Sequence, residues 1–198
     1  MSAVNYARIP RVRSHGLAWM ILALLVTPAW ASAPVTEVTR VFLARHAERM
    51  SIPGDKDPPL TAAGARRAAL LGRMLRSADV AVVFSTQFKR ARESADSVSV
   101  ATGAPVEVMH SDSSAALARA IRGRFHGRTV VVVGHSDSLP NVAAELGWEG
   151  VEATQPWSYD DLCLIEVRAG ERPQCVHLHY GGPADTTGMS GSAPAQPR

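Results

Sequence analysis

Val130 to Val133 is four valines in a row, the most strand-like stretch of the chain. β-Branched side chains pack well on a pleated surface, and an unbroken apolar run marks a strand buried on both faces. Val41-Phe42-Leu43-Ala44 and Val80-Ala81-Val82-Val83-Phe84 read the same way. Helix-length stretches separate these runs, so strand and helix alternate from Pro34 onwards. Such alternation is the signature of a sheet covered by helices on both faces. The expected fold class is α/β, a three-layer αβα sandwich with a mostly parallel central sheet that ends in a β-hairpin.

The elements follow in order. A strand at 39–44 leads into a Pro-, Gly- and Asp-rich loop, and Thr61 is placed to cap a helix over 62–76. Ala65, Ala68, Leu71 and Leu75 form the inner face of that helix, with Arg66, Arg73 and Arg76 off it. A strand at 80–84 precedes a helix over 89–101, which Gly103-Ala104-Pro105 ends before a short strand at 106–109. Ser113 is placed to cap a helix over 114–125, the valine strand spans 129–133, and a short helix follows Pro140. Two strands at 161–167 and 174–180 flank Arg168 to Pro173, a turn composition that makes a hairpin. No internal repeat is present.

The first 31 residues stand outside this pattern. Arg8, Arg11 and Arg13 precede an apolar stretch from Gly16 to Trp30, and Ala29-Trp30-Ala31 supplies small residues at −3 and −1. These are the three parts of a secretory signal, with cleavage after Ala31 favoured because Pro34 would sit at +1 after Ala33. An uncleaved anchor is the alternative, but the apolar run falls short of the roughly 20 residues a spanning helix needs. The expected organisation is a signal at 1–31, one domain at 32–181 and a Gly/Pro/Ser/Thr-rich disordered tail at 182–198. Export to the periplasm or outside the cell follows, with no stable membrane insertion. Removing the signal takes three of the 21 Lys+Arg and no acid, leaving 18 against 18 Asp+Glu. A neutral mature chain gives no support for nucleic acid as a partner. In an exported protein Cys163 and Cys175 are expected to pair across the hairpin, two free thiols being the alternative.

Chemistry-bearing residues gather just past the strand ends. Arg45-His46-Ala47-Glu48 follows the first strand, Ser85 to Arg92 the second, and Gly134-His135-Ser136-Asp137 the valine strand. In open α/β sheets ligands collect outside the carboxyl ends of the strands, so a parallel sheet puts all three segments on one rim. Imidazole can attack phosphorus, and guanidinium forks onto two phosphate oxygens.

On these segments the chain resembles the histidine phosphatase superfamily, the phosphoglycerate-mutase-like fold. Arg45-His46-Ala47-Glu48 is similar to the opening Arg-His-Gly-Glu motif, and Ser85 to Ala95 to the second motif, with Arg90 on its arginine and Ser94 where threonine is usual. His135 falls where the family's second histidine follows a strand, and Pro59-Leu60-Thr61-Ala62-Ala63-Gly64 resembles the family's helix entry. The resemblance runs from about Val38 to Gly181. It implies a phosphatase that acts on a phosphate monoester through phosphohistidine on His46. Arg45 and Arg90 then hold the phosphoryl oxygens, and His135, cationic beside the dianion, stabilises the transferring group. Glu48 is expected to orient the loop of the nucleophile, and Glu48 and Ser136 to contact substrate. No cofactor or metal is implied, because the arginines and His135 supply the positive charge. Among Asp137, Asp112 and Glu107, Asp137 is the first choice of proton donor because it lies nearest His135 in sequence. Arg92 and Lys89 are read as rim charges.

Three other readings remain at this level. A family member can hold a phosphorylated ligand without turnover. Gly134-His135-Ser136-Asp137-Ser138 resembles a nucleophile elbow, which would make Ser136 the nucleophile of a serine hydrolase with acids and histidines from Asp160, Asp161, His177 and His179. His177-x-His179 places two imidazoles on one strand face and so offers a metal site, although exposed hairpin histidines are the plainer reading. The expected partner is a phosphorylated small molecule or an envelope phosphate, with Arg49 to Pro59 and Gly147 to Tyr159 (Trp148, Trp157, Tyr159) as the pocket walls. Oligomeric state stays open.

Overall fold

The computed structural model describes residues 37–148, 150 and 157–182. The signal segment, the chain from 183 onwards and positions 149 and 151–156 of the expected pocket wall lie outside the described residues. Ten elements follow: β1 (Thr39–Arg45), α1 (Ala62–Leu75), β2 (Val80–Thr86), α2 (Lys89–Thr102), β3 (Val106–Met109), α3 (Ser114–Arg124), β4 (Thr129–Gly134), α4 (Leu139–Glu145), β5 (Asp161–Val167) and β6 (Gln174–His179).

The six strands form one sheet in the order β3-β2-β4-β1-β5-β6. β3, β2, β4 and β1 run parallel, and the hairpin adds β5 and β6 antiparallel on the β1 side. The valine strand is central and buried throughout. Val130 and Val132 pack with Val41, Leu43, Val82 and Phe84 against Leu117 and Ile121 of α3 and Leu139 and Val142 of α4. Val131 and Val133 pack the other way, with Val83 and Ala44, against Leu71 and Leu75 of α1 and Ala91, Ala95 and Val98 of α2. The period of two in the strands therefore divides one apolar run between two cores, and this makes three layers.

Several local expectations are corrected. On α1 the buried positions are Gly64, Arg67, Ala68, Leu71, Gly72 and Leu75, whereas Ala65 is exposed. The reason is Gly64, whose missing side chain lets the first turn lie against the backbone of Glu48. Thr61 caps α1 as expected, accepting from the Gly64 N–H at 2.9 Å. Ser113 stands at the start of α3 but its hydroxyl makes no capping bond. Cys163 and Cys175 form a disulfide, yet they are not opposite one another. The register pairs Cys163 with His177 and Ile165 with Cys175, so the bridge is diagonal with a Cα–Cα separation of 6.0 Å.

Candidate active site

The rim is set by strand register. β1 and β4 pair so that Arg45 stands beside Gly134, and the His46 N–H donates to the Gly134 carbonyl at 2.9 Å. The next residue on each strand is a histidine, so His46 and His135 emerge side by side with ring centroids 5.1 Å apart. Thr86 ends the neighbouring strand β2, and its Oγ1 lies 2.8 Å from His135 Nε2. Arg90 starts the helix that follows. Arg45, His46, Arg90 and His135 open onto a crevice of about 520 Å³ lined also by Arg49, Phe88, Ser111, Asp112, Ser136, Asp137 and Asn141.

His46 has a defined tautomer. Its Nδ1 lies 2.8 Å from the Ala47 carbonyl oxygen, which can only accept, so Nδ1 carries the proton. Nε2 therefore holds a lone pair, and Arg90 Nε–H donates to it at 3.2 Å. Burial, reinforced by the charges of His135, Arg45 and Arg90, lowers the His46 pKa to about 3. It is neutral, with a free pair of electrons, at any physiological pH. Burial and then the Arg90 charge lower His135 to about 4, so the imidazole expected to be cationic is neutral in the anion-free site.

Each arginine lies on an aromatic face. The Arg45 guanidinium carbon is 4.1 Å from the centroid of Tyr159, and that of Arg90 is 4.5 Å from Phe88. Arg45 Nη1 donates to the Trp157 carbonyl at 2.8 Å, whereas Arg45 Nε and Arg90 Nη1 are buried without a hydrogen-bond partner. The nearest carboxylate to Arg90 Nη1, that of Asp57, is 3.6 Å away and too far to satisfy it. Buried donors left unpaired cost about 1–3 kcal/mol each, more when charged. An oxyanion in the crevice removes that penalty.

The structure brings Arg45, His46, Arg90, His135, Ser136, Asp137 and Asp112 to the crevice and leaves others out. Glu48, expected to contact substrate, turns away and pairs with buried Arg67 at 2.7 Å. Glu107 points elsewhere, held by both terminal nitrogens of Arg124 at 3.0 and 2.7 Å. Asp112 is bonded to His110, which holds its carboxyl below the usual carboxylate range. Trp157 and Trp148 are not walls. Trp157 is 2% exposed in the core under α3 and α4, Trp148 packs against the same cluster, and only Tyr159 reaches the histidine. Lys89 and Arg92 are exposed on α2. Among the described residues Ser136 makes no hydrogen bond to a histidine and is not at positive φ, so the elbow arrangement is not formed. The histidines it would need pair with Asp160 and Asp161 on the hairpin instead.

Sequence reasoning missed Thr86 and Phe88 and read Ser94 only as a departure from a motif. Ser94 Oγ accepts from the Ala47 N–H at 3.1 Å and donates to the Arg90 carbonyl at 2.8 Å, tying α2 to the loop behind His46. The available signal was position: all three lie in the segment that carries Arg90.

Residues 41–111 match the sequence model of the histidine phosphatase superfamily (branch 1). Over that stretch, less than half of its length, the chain is similar to this superfamily. The match carries Arg45, His46 and Arg90, while His135 lies beyond it. Solved histidine phosphatases share the fold. A putative phosphohistidine phosphatase SixA from Agrobacterium tumefaciens is 18% identical, with a TM-score of 0.57 over 72% of this chain and 99% of that one. A SixA protein histidine phosphatase complexed with tungstate is 18% identical, with a TM-score of 0.58 over 71% and 96%. A mycobacterial glucosyl-3-phosphoglycerate phosphatase with inorganic phosphate is 16% identical, with a TM-score of 0.58 over 73% and 98%. No curated protein matches the chain in sequence. These likenesses show the α/β fold expected from the sequence.

Proposed function

We propose that this protein is a histidine phosphatase, an exported phosphoric monoester hydrolase that works without a metal, through a phosphohistidine on His46. The observation that carries this reading is the pair of unsatisfied buried donors, Arg45 Nε and Arg90 Nη1, beside a neutral imidazole with a free lone pair. A phosphoryl group satisfies both guanidinium groups by charge-assisted forks. Arg90 Nε then passes from His46 Nε2 to a phosphate oxygen and frees the nucleophile. Nε2 attacks phosphorus in line as the ester P–O bond breaks. The leaving alkoxide takes a proton from Asp137, our choice of donor because it lines the crevice two residues past His135 whereas Glu107 is outside it. Water next attacks phosphorus and gives a proton back to the Asp137 carboxylate as the P–N bond breaks, and inorganic phosphate leaves with His46 neutral again. His135, backed by Thr86, faces the transferring group, and the incoming dianion draws a proton onto His135. Positioning and electrostatics do most of the work in such transfers.

The substrate class is a phosphorylated small molecule or an envelope phosphate, taken by an open crevice whose third arginine, Arg49, is free to meet a further anionic group. Rapid quench into alkaline detergent with radiolabelled substrate tests the mechanism. The wild type should yield an acid-labile, base-stable phosphoprotein in the presence of chelator, and His46→Ala should yield neither label nor turnover while remaining folded. Label retained on His46→Ala means that the nucleophile lies elsewhere. Tight vanadate binding without turnover on any phosphomonoester makes the protein a phospho-ligand-binding member instead.

A further inference from the structure

At the open end of the β5–β6 hairpin, three side chains with metal-ligating atoms converge, those of Asp160, Asp161 and His179, and a fourth, His177, lies beside Asp161. Asp161 on β5 and His177 and His179 on β6 share one face of the sheet, because Asp161 is registered with His179 and His177 is two residues away. Asp160 immediately precedes β5. Asp161 Oδ1 lies 3.2 Å from His179 Nδ1 and 3.4 Å from His177 Nε2, and Asp160 Oδ2 lies 3.6 Å from His179 Nδ1. The ligating atoms of Asp160, Asp161 and His179 are all within 4.8 Å of one another.

Those separations carry information. Zinc bonds to imidazole nitrogen and carboxylate oxygen at about 2.0–2.1 Å in a tetrahedron, which puts neighbouring ligand atoms about 3.3–3.4 Å apart. The three measured values bracket that spacing. The 3.4 and 3.6 Å separations exceed a direct N–H···O bond of about 2.7–3.2 Å, and His177 Nε2 is buried with no hydrogen-bond partner although Asp161 is beside it. The carboxylates are also held from behind. Ser158 donates its N–H to Asp161 Oδ2 at 2.6 Å and its hydroxyl to Asp160 Oδ1, so each acid has one oxygen anchored and the other turned towards the histidines. Ligands of a metal ion are oriented in this manner by an outer shell. Asp161 is buried, His177 leans on the buried Trp157 ring, and His179 stacks on His177 at 5.4 Å.

We propose that Asp160, Asp161, His177 and His179 bind one divalent transition-metal ion of the zinc class. Two imidazoles with two carboxylates suit zinc, whereas calcium and magnesium take shells of six or more oxygens. Asp160, Asp161 and His179 already lie together, and His177, beside Asp161, would turn in as the fourth protein ligand, which makes the ion structural. It joins edge strand β6 to the segment 157–161, whose Trp157 carbonyl and Tyr159 ring hold Arg45. The inference stands apart from the phosphatase reading, since no reacting group touches the ion.

The test uses untagged full-length protein stripped with chelator and titrated with cobalt(II) and then zinc. One cobalt per chain is expected, with the intense visible bands of tetrahedral coordination, bleached by one equivalent of zinc, and Tm should rise with zinc concentration. His179 is 69% exposed on its side chain, so His179→Ala should leave the apo Tm unchanged and weaken metal binding at least tenfold. His177→Gln should do the same, and Ser158→Ala, which removes one anchoring bond, should weaken binding by about tenfold. His46→Ala should bind as the wild type does. The proposal is overturned if no saturable one-to-one binding is found, if the cobalt spectrum is octahedral, or if His46→Ala abolishes binding while His177→Gln and His179→Ala retain it.

Discussion

One hydrogen bond decides what His46 can do. The Ala47 carbonyl takes the Nδ1 proton and so leaves the Nε2 lone pair facing the crevice and Arg90. Arg90 is poised by three contacts of different kinds: the Phe88 ring, the imidazole of His46 and the distant Asp57 carboxylate. Arg92, two residues further along α2, points to solvent. Arg90→Ala should therefore lower kcat/KM by about 10²–10³-fold, the usual loss when one preorganised donor to a transferring group is removed. Arg92→Ala should behave much like the wild type. Steady-state kinetics on a generic phosphomonoester checks both, and a larger loss at Arg92 would shift the placement of the second motif by two residues.

At the scale of elements, the loop behind His46 is held by α1 and α2 together. Glu48 offers its carbonyl to the Thr61 N–H at 2.8 Å and its carboxylate to Arg67, while Glu93 Oε2 accepts from the Leu60 N–H at 2.7 Å. Arg67 also donates to the Tyr180 carbonyl at 2.8 Å, which fixes the chain beyond β6 to α1. Gly64 makes this arrangement possible, since a Cβ there collides with the Glu48 backbone carbonyl and comes within 2.9 Å of its nitrogen. Gly64→Ala should cost about 1–3 kcal/mol, as overpacking against an unyielding backbone does, and should lower turnover by shifting His46. Gly123→Ala is the control: its Cβ meets nothing, it lies within α3, and it should be neutral or slightly stabilising. Urea unfolding of the two variants separates them, and equal stabilities would remove the close approach at Gly64 as a constraint.

For the whole molecule, folding keeps two imidazoles uncharged. Unfolded, each takes up a proton as the pH falls through about 6.5, whereas the folded protein resists to about 3 at His46 and about 4 at His135. The unfolded chain binds more protons in between, so their contribution to stability is complete above about pH 6.5 and is lost as the pH falls towards 4 and below. Tm should drop between pH 7 and pH 4 more steeply for the wild type than for the His46→Asn, His135→Asn double variant, and parallel curves would contradict the depressed values. Protein recovered from a bacterial periplasm should begin at Ser32 and contain no free thiol. Reducing Cys163–Cys175 should cost about 2–3 kcal/mol, the value for closing a loop of 12 residues. An intact Met1, or unchanged stability after reduction, contradicts the export reading and the role of the bond respectively.

The sequence alone determined the alternation of elements, the two-faced burial of the valine strand and the strand-end positions of Arg45, His46, Arg90 and His135. These are local properties: side-chain period, β-branching and turn chemistry act over a few residues and survive without knowledge of the partner strand. Tertiary structure decided everything that depends on which atoms meet across the sheet. It paired Arg45 with Gly134 and so made the two histidines neighbours, turned Glu48 onto Arg67 and Glu107 onto Arg124, and buried Trp157 in the core. It also set the hairpin two residues away from the register that would put the cysteines opposite each other, and gathered Asp160, Asp161 and His179, with His177 beside Asp161, at the hairpin's open end. The physical reason is that spacing along the chain fixes where a side chain is placed on its own element, while its charge, tautomer and partners are fixed by groups far away in sequence.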